Sequence, residues 1–174
     1  MGIIKRIMNS WTSSLTSEDY QLIEIYLDDP GKFLFFQMEK IDQLHALAVT
    51  RTIMFETEFM SGLDRHSLIK AALLHDIGKV RGDFGLISRI AVGMVRRIFP
   101  ILRGKLAFTQ PATWWEKIRY GFYVDLIHPS RGAYMAETFG IEPMVVELIR
   151  RHHDPARQDQ SPELTWLQNA DNKN

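Results

Sequence analysis

"AALLHDIGKV", residues 71–80, opens as the inside of a helix and closes on charge. Four apolar residues, Ala71 to Leu74, run directly into His75 and Asp76, with Gly78 and Lys79 just beyond. An imidazole and a carboxylate carried inward by such a stripe cost several kcal/mol if left without partners. The remaining chain is therefore expected to supply those partners.

Apolar residues recur mostly at spacings of three and four, and period-two alternation is scarce, so the chain reads as all-α. Thr16 or Ser17 caps a first helix that Pro30 and Gly31 stop, a short helix spans about residues 32–39, and Asp42 caps a longer one running to about Glu56. Asp64 caps the helix that ends at Gly78. Between residues 80 and 127, glycines and prolines punctuate two expected helices, near 86–99 and 113–126, joined by a loop. Pro129 is expected at the first position of a helix to Thr138, followed by helices over Pro143–His153 and near 162–171. The expectation is one domain over residues 1–174, with a helical N-terminal extension at 1–35 and an insertion or lid at 80–127.

Composition narrows the function classes. The 174 residues are 45% apolar and 24% charged, which suits a chain with a real core. Lys plus Arg equal Asp plus Glu at 21 each, so no global charge calls for nucleic acid. No cysteine is present, which excludes disulfides, thiolate ligands and cysteine nucleophiles; any metal would be held by nitrogen and oxygen. The start "MGIIKRIMNSW" lacks the continuous apolar core of a secretory signal, and the most apolar stretch is broken by arginines and Pro100. A cytoplasmic protein is the expectation.

The other histidines share the pattern of residues 71–76. His45 stands three or four positions from Ile41, Ala48 and Val49; His152 follows Leu148 and Ile149; Asp171 follows Leu167; His128 sits at an expected helix start. Taken singly, each reads as a core histidine or a capping group, and His66, in the first turn of its helix, stays in that class. Together they project four imidazoles and two carboxylates inward, the way helical scaffolds assemble dinuclear metal sites. His75 and Asp76 point about 100° apart on a helix, so the histidine can face one ion while the carboxylate bridges two.

The order His45, His75-Asp76, His128, His152-His153, Asp171 resembles the HD-domain metal-dependent phosphohydrolase superfamily. The motifs are "DQLHALAV", "LLHDIGK", "HPSRGAYMAE", "IRRHHD" and "LQNAD", from about residue 36 to the end with the insertion excepted. The resemblance implies an all-α HD-domain helical bundle with a helical insertion between the HD motif and the next histidine. It implies two divalent ions, iron or manganese first, with nickel, cobalt, zinc or magnesium as alternatives. His45, His75, Asp76 and Asp171 would hold one ion, and Asp76 would bridge to a second on His128 and His152. The implied activity is cleavage of a phosphoester or phosphoanhydride of a small substrate, a nucleotide or dinucleotide, by metal-activated water. Asp76, Lys79 and His153 are the catalytic candidates: Lys79 to neutralise a phosphate oxygen, His153 as a ligand's hydrogen-bond partner, a substrate contact or an extra ligand. "HHDPARQDQ" lacks the Gly-Tyr-Pro loop of the cyclic-dinucleotide branch, which argues against that substrate. The alternatives are an oxygenase with mixed-valent di-iron and a non-catalytic nucleotide-sensing module.

Residues 81–105 carry six basic groups against Asp83 alone, interleaved with apolar residues. They read as a packing helix with a solvated basic face, as a lid, or, with "MGIIKRIM", as a contact with an anionic membrane surface. In the lid reading Arg96 and Arg97 would grip substrate phosphates alongside Lys79 and Arg131, since guanidinium binds phosphate in a bidentate way.

Overall fold

Five of the nine described helices start where a side chain accepts an amide proton that a first turn leaves without a partner. A computed structural model describes residues 14–83, 85–99 and 101–174, with the side chains of Leu86, Arg96 and Arg97 outside that set. Thr16 opens α1 (Ser17–Tyr26) through a reciprocal box, its hydroxyl accepting from Asp19 N at 3.2 Å while Asp19 Oδ2 accepts from Thr16 N at 2.7 Å. Asp28 opens α2 (Asp29–Gln37), taking Gly31 N at 3.0 Å, and Asp64 opens α4 (Arg65–Leu74), taking Ser67 N at 3.1 Å. Thr113 and Ser161 do the same for α7 (Trp114–Thr138) and α9 (Pro162–Lys173). The remaining helices are α3 (Lys40–Glu56), α5 (Leu86–Ile98), α6 (Leu102–Leu106) and α8 (Pro143–Arg151). No strand forms among the described residues; Met38 and Val80 make one isolated bridge.

The quoted stretch lies at the centre. Every residue from Leu68 to Gly78 is buried, and α4 touches α1, α2, α3, α8 and α9. A helix apolar all round has to be enclosed on all sides, and these neighbours enclose it. Lys70 is the exception that fits: its stem is buried and its ammonium reaches Asp28 at 3.3 Å and Glu142 at 2.8 Å. One buried lysine thereby ties together the starting residues of α2 and α8.

Several expected boundaries move. Pro30 does not stop the first helix; α1 ends at Tyr26, and Pro30 falls in the first turn of α2, where its missing N–H costs nothing. Asp42 does not cap α3. Glu39 holds that position, and Asp42 is buried one turn in, facing Arg89. The expected helices at 113–126 and 129–138 are one continuous helix, α7, with Pro129 inside it. The expected loop before them contains the short α6. Residues 1–13, including "MGIIKRIM", lie outside the described set.

Gly78 answers the question its position raises. A methyl group there would overlap the His128 carbonyl oxygen and stand 2.8 Å from Gly132 N, both in the backbone of α7. Gly132 reciprocates, since its own Cβ would lie 3.1 Å from Gly78 N. Two glycines therefore let the turn after α4 press against α7, which is what brings Asp76 to His128. Gly78→Ala is expected to push the two backbones apart at an overpacking cost of about 1–3 kcal/mol. Differential scanning calorimetry should show a melting temperature lower by roughly 2–4 °C per kcal/mol lost; an unchanged value would contradict the close approach.

Candidate metal centre

Four helices and the turn after α4 converge on two adjoining groups of donor atoms. In the first, Asp171 on α9 lies between two histidines: its Oδ1 is 2.8 Å from His45 Nε2 on α3 and 3.7 Å from His75 Nε2. In the second, His128 Nε2 on α7 is 3.2 Å from His152 Nε2 at the end of α8, and the His153 ring centroid lies 4.7 Å from that of His128. His45, His75 and Asp171 can hold one metal ion, and so can His128, His152 and His153. Asp76 stands between the groups. Its Oδ2 is 3.6 Å from His75 Nε2, while its Oδ1 is 3.3 Å from His128 Nε2 and 4.0 Å from His152 Nε2.

The backbone decides which ring nitrogen faces inward. His75, His128 and His152 each direct Nδ1 at the carbonyl three residues earlier: Ala72 O at 2.9 Å, Asp125 O at 2.9 Å and Ile149 O at 2.7 Å. A carbonyl can only accept, so each Nδ1 carries the proton and each Nε2 presents a lone pair. His75 and His152 follow the last residues of α4 and α8, where carbonyls are left over by the helix. His128 is mid-helix, where none should be. Pro129 supplies one: the amide that would bond Asp125 O belongs to residue 129, and proline has no N–H.

That arrangement leaves buried polar atoms without a hydrogen-bond partner among the described residues. His128 Nε2 and His152 Nε2 point two lone pairs at each other. His75 Nε2 and Asp76 Oδ1 are buried with no hydrogen-bond partner. Lys79 Nζ lies 2.7 Å from each Asp76 oxygen, but its donor geometry serves Oδ2. Unprotonated nitrogens and anionic oxygens converging in this way are the donor set of a divalent cation.

Charge states agree with that reading. Burial is the leading cause that drives the His75 imidazole below its usual range, and it drives His152 further, helped by His153 and His128. His128 is lowered from 6.5 to about 4, first by burial and then by the Lys79 charge. Burial would raise Asp76, but the Lys79 ammonium holds it well below the carboxylate range. Asp171 is likewise held low against burial by His153 and His45. Near neutral pH His75, His128 and His152 are thus neutral and Asp76 and Asp171 ionised, the forms that bind metal.

Of the residues singled out in the sequence, His45, His75, Asp76, His128, His152 and Asp171 are brought together, and His153 joins His128 and His152, its Nε2 3.6 Å from Asp171 Oδ2. Lys79 is largely covered, its side chain 13% exposed, and is paired with Asp76, which removes the solvated-lysine alternative. Arg131 donates to Asp83 Oδ2 at 2.7 Å. The side chains of Arg96 and Arg97 lie outside the described set. Two buried acids escaped the sequence reading: Asp42, paired with Arg89 through two 2.8 Å hydrogen bonds, and Asp125, paired with Arg103 at 2.9 Å. Each stands three residues before a site histidine, His45 and His128, and so shares that histidine's helix face. That spacing was the available signal.

A model of the HD domain family matches residues 43–173, a range that contains every one of these donors. No curated protein and no solved structure matches the chain.

Two outcomes follow from the geometry. Pro129→Ala should leave the fold intact or firmer, because proline is the worst residue for a helix interior. It should nonetheless weaken the second group of ligands by about 10–100-fold, as loss of a ligand's orienting partner does, because the restored amide competes for Asp125 O. Titration calorimetry with Mn or Co reads this directly, and unchanged affinity would refute the role of the freed carbonyl. The buried imidazoles also set a pH dependence. Their folded pKa values lie below those of the unfolded chain, so below about pH 6.5 the unfolded chain takes up protons that the native one refuses. Metal-free protein should therefore lose thermal stability as pH falls from about 6.5 toward 4, and Asp76 and Asp171 add a further loss below about 4. A flat melting temperature between neutrality and pH 5 would contradict neutral buried histidines.

Proposed function

This chain belongs to the HD domain family, and on that premise we propose that it is a metal-dependent phosphohydrolase with a paired-metal site. The observation that carries the reading is Asp76, a buried carboxylate with one oxygen toward each group of histidines. His45, His75 and Asp171 would hold the first ion, His128, His152 and His153 the second, and Asp76 would touch both. Bound there, divalent ions supply charge for phosphoryl oxygens and make water acidic enough to ionise near neutral pH.

The chain's own residues do the rest. Three carbonyl-bonded imidazoles keep their Nε2 atoms aimed without further reorganisation. Lys79, partly buried and held in its charged form by Asp76, and by Asp42 and Asp125 beyond it, supplies a cation for a substrate phosphate. A nucleotide or dinucleotide phosphoester or phosphoanhydride is the proposed substrate class.

The test is a panel of nucleoside mono-, di- and triphosphates, dinucleoside polyphosphates, cyclic nucleotides and an aryl phosphate, run with Mn-loaded wild type and with Asp76→Asn. The variant keeps side-chain volume and removes the charge. Its hydrolysis should fall by more than the roughly 100-fold that loss of an outer partner costs, and metal content should drop from two ions per chain. Full turnover with full metal content in Asp76→Asn would overturn the assignment, as would a wild type inactive on every phosphate.

A further inference from the structure

Helix α5 is folded with the wrong face outward for an ordinary packing helix. Ser88 and Val92 are buried on its inner side, where Ser88 Oγ donates to Lys117 O on α7 at 3.4 Å. Ile87, Met94 and Ile98, spaced at seven and then four residues, form one exposed stripe on the other side. The apolar surface continues past the helix: Ile101 is 87% exposed, and Trp114 and Trp115, stacked with ring centroids 3.8 Å apart at the start of α7, are 58% and 62% exposed. Large apolar side chains exposed together on adjoining elements mark a candidate interaction site.

Charge identifies the kind of partner. From Gly85 to Lys117 the sequence contains six Arg or Lys residues against a single acid, Glu116, in a chain whose totals balance at 21 of each. Arg89 and Arg103 are anchored inward on Asp42 and Asp125, while Lys105 and Lys117 are exposed. A second copy of the chain would set this predominantly cationic stretch against itself, which electrostatics disfavours. An apolar stripe, paired tryptophans and surrounding cations instead match an anionic lipid surface.

We propose that the α5–α6 region and the first turn of α7 dock this protein peripherally on anionic membranes, with the Ile87–Ile98 stripe and the Trp114-Trp115 pair entering the headgroup layer. No described helix is long and apolar enough to cross a bilayer, so the contact is with the surface. The proposal stands on the exposed face alone and does not depend on the metal site.

Full-length protein would be co-sedimented with vesicles of phosphatidylcholine and with vesicles of phosphatidylcholine and phosphatidylglycerol in equal parts, alongside Ile98→Glu/Ile101→Glu and Trp114→Ser/Trp115→Ser. All four positions are exposed, and circular dichroism with metal content checks that each variant folds. Wild type should pellet with the mixed vesicles, less so as salt rises, and each folded variant should bind about tenfold more weakly or worse. Wild type staying in the supernatant, equal binding to neutral vesicles, or variants binding like wild type would each overturn the proposal. So would analytical ultracentrifugation showing a wild-type dimer that the same substitutions dissociate, because the face would then be occupied by a second copy.

Discussion

The Asp76 carboxylate is buried, ionised and incompletely hydrogen-bonded, and much of the fold is arranged around that cost. An isolated buried anion is penalised by several kcal/mol unless cations or donors compensate it. Lys79 supplies part of the compensation from one turn away, and the lone pairs of His75, His128 and His152 contribute none. What is left is a concentration of negative potential and unshared electron pairs in a buried space beside α4, which packs against five neighbours. The metal affinity expected of the site and the instability expected of the empty site are two consequences of one arrangement.

Those ligands depend on features that a helical pattern normally treats as defects. A helix interior has no spare carbonyl, so a histidine there has nothing to fix its ring; α7 obtains one by carrying a proline. A turn packed against a helix backbone has no room for Cβ atoms, so glycines occur in pairs, Gly78 on the turn and Gly132 on α7. The glycine and the proline act on the same few ångströms, because Gly78 abuts the carbonyl of the histidine that Pro129 helps to orient.

These features explain what could be read in advance. The inward histidines and aspartates were legible because each interrupts an apolar stripe, and burial of a polar group signals a partner whatever the tertiary arrangement. Pro129 misled because local grammar places proline at helix starts; its value here lies in an absent hydrogen bond whose beneficiary is one residue away. Pro30 misled in the opposite direction, taken for a stop when Asp28 makes it part of a start. Asp42 has the composition of a cap, yet its partner, Arg89, is 47 positions away and its pairing could not be inferred from spacing. Asp125 was hidden inside what looked like the end of one helix and is the middle of another.

The insertion belongs to the same electrostatic system. Arg89 and Arg103, on α5 and α6, neutralise Asp42 and Asp125, and both aspartates contribute to holding Lys79 charged. Each aspartate also lies one turn ahead of a site histidine. Were α5 and α6 lifted away, Asp42 and Asp125 would lose their counter-ions and the balance around Lys79 would change. Arg89 and Arg103 thus turn their guanidinium groups inward, where they are paired, while Ile87, Met94, Ile98 and Ile101 face out. That inversion is costly in water, at about 25 cal/mol for each Å² of apolar surface left exposed, and the surrounding cations favour an anionic partner that removes the cost.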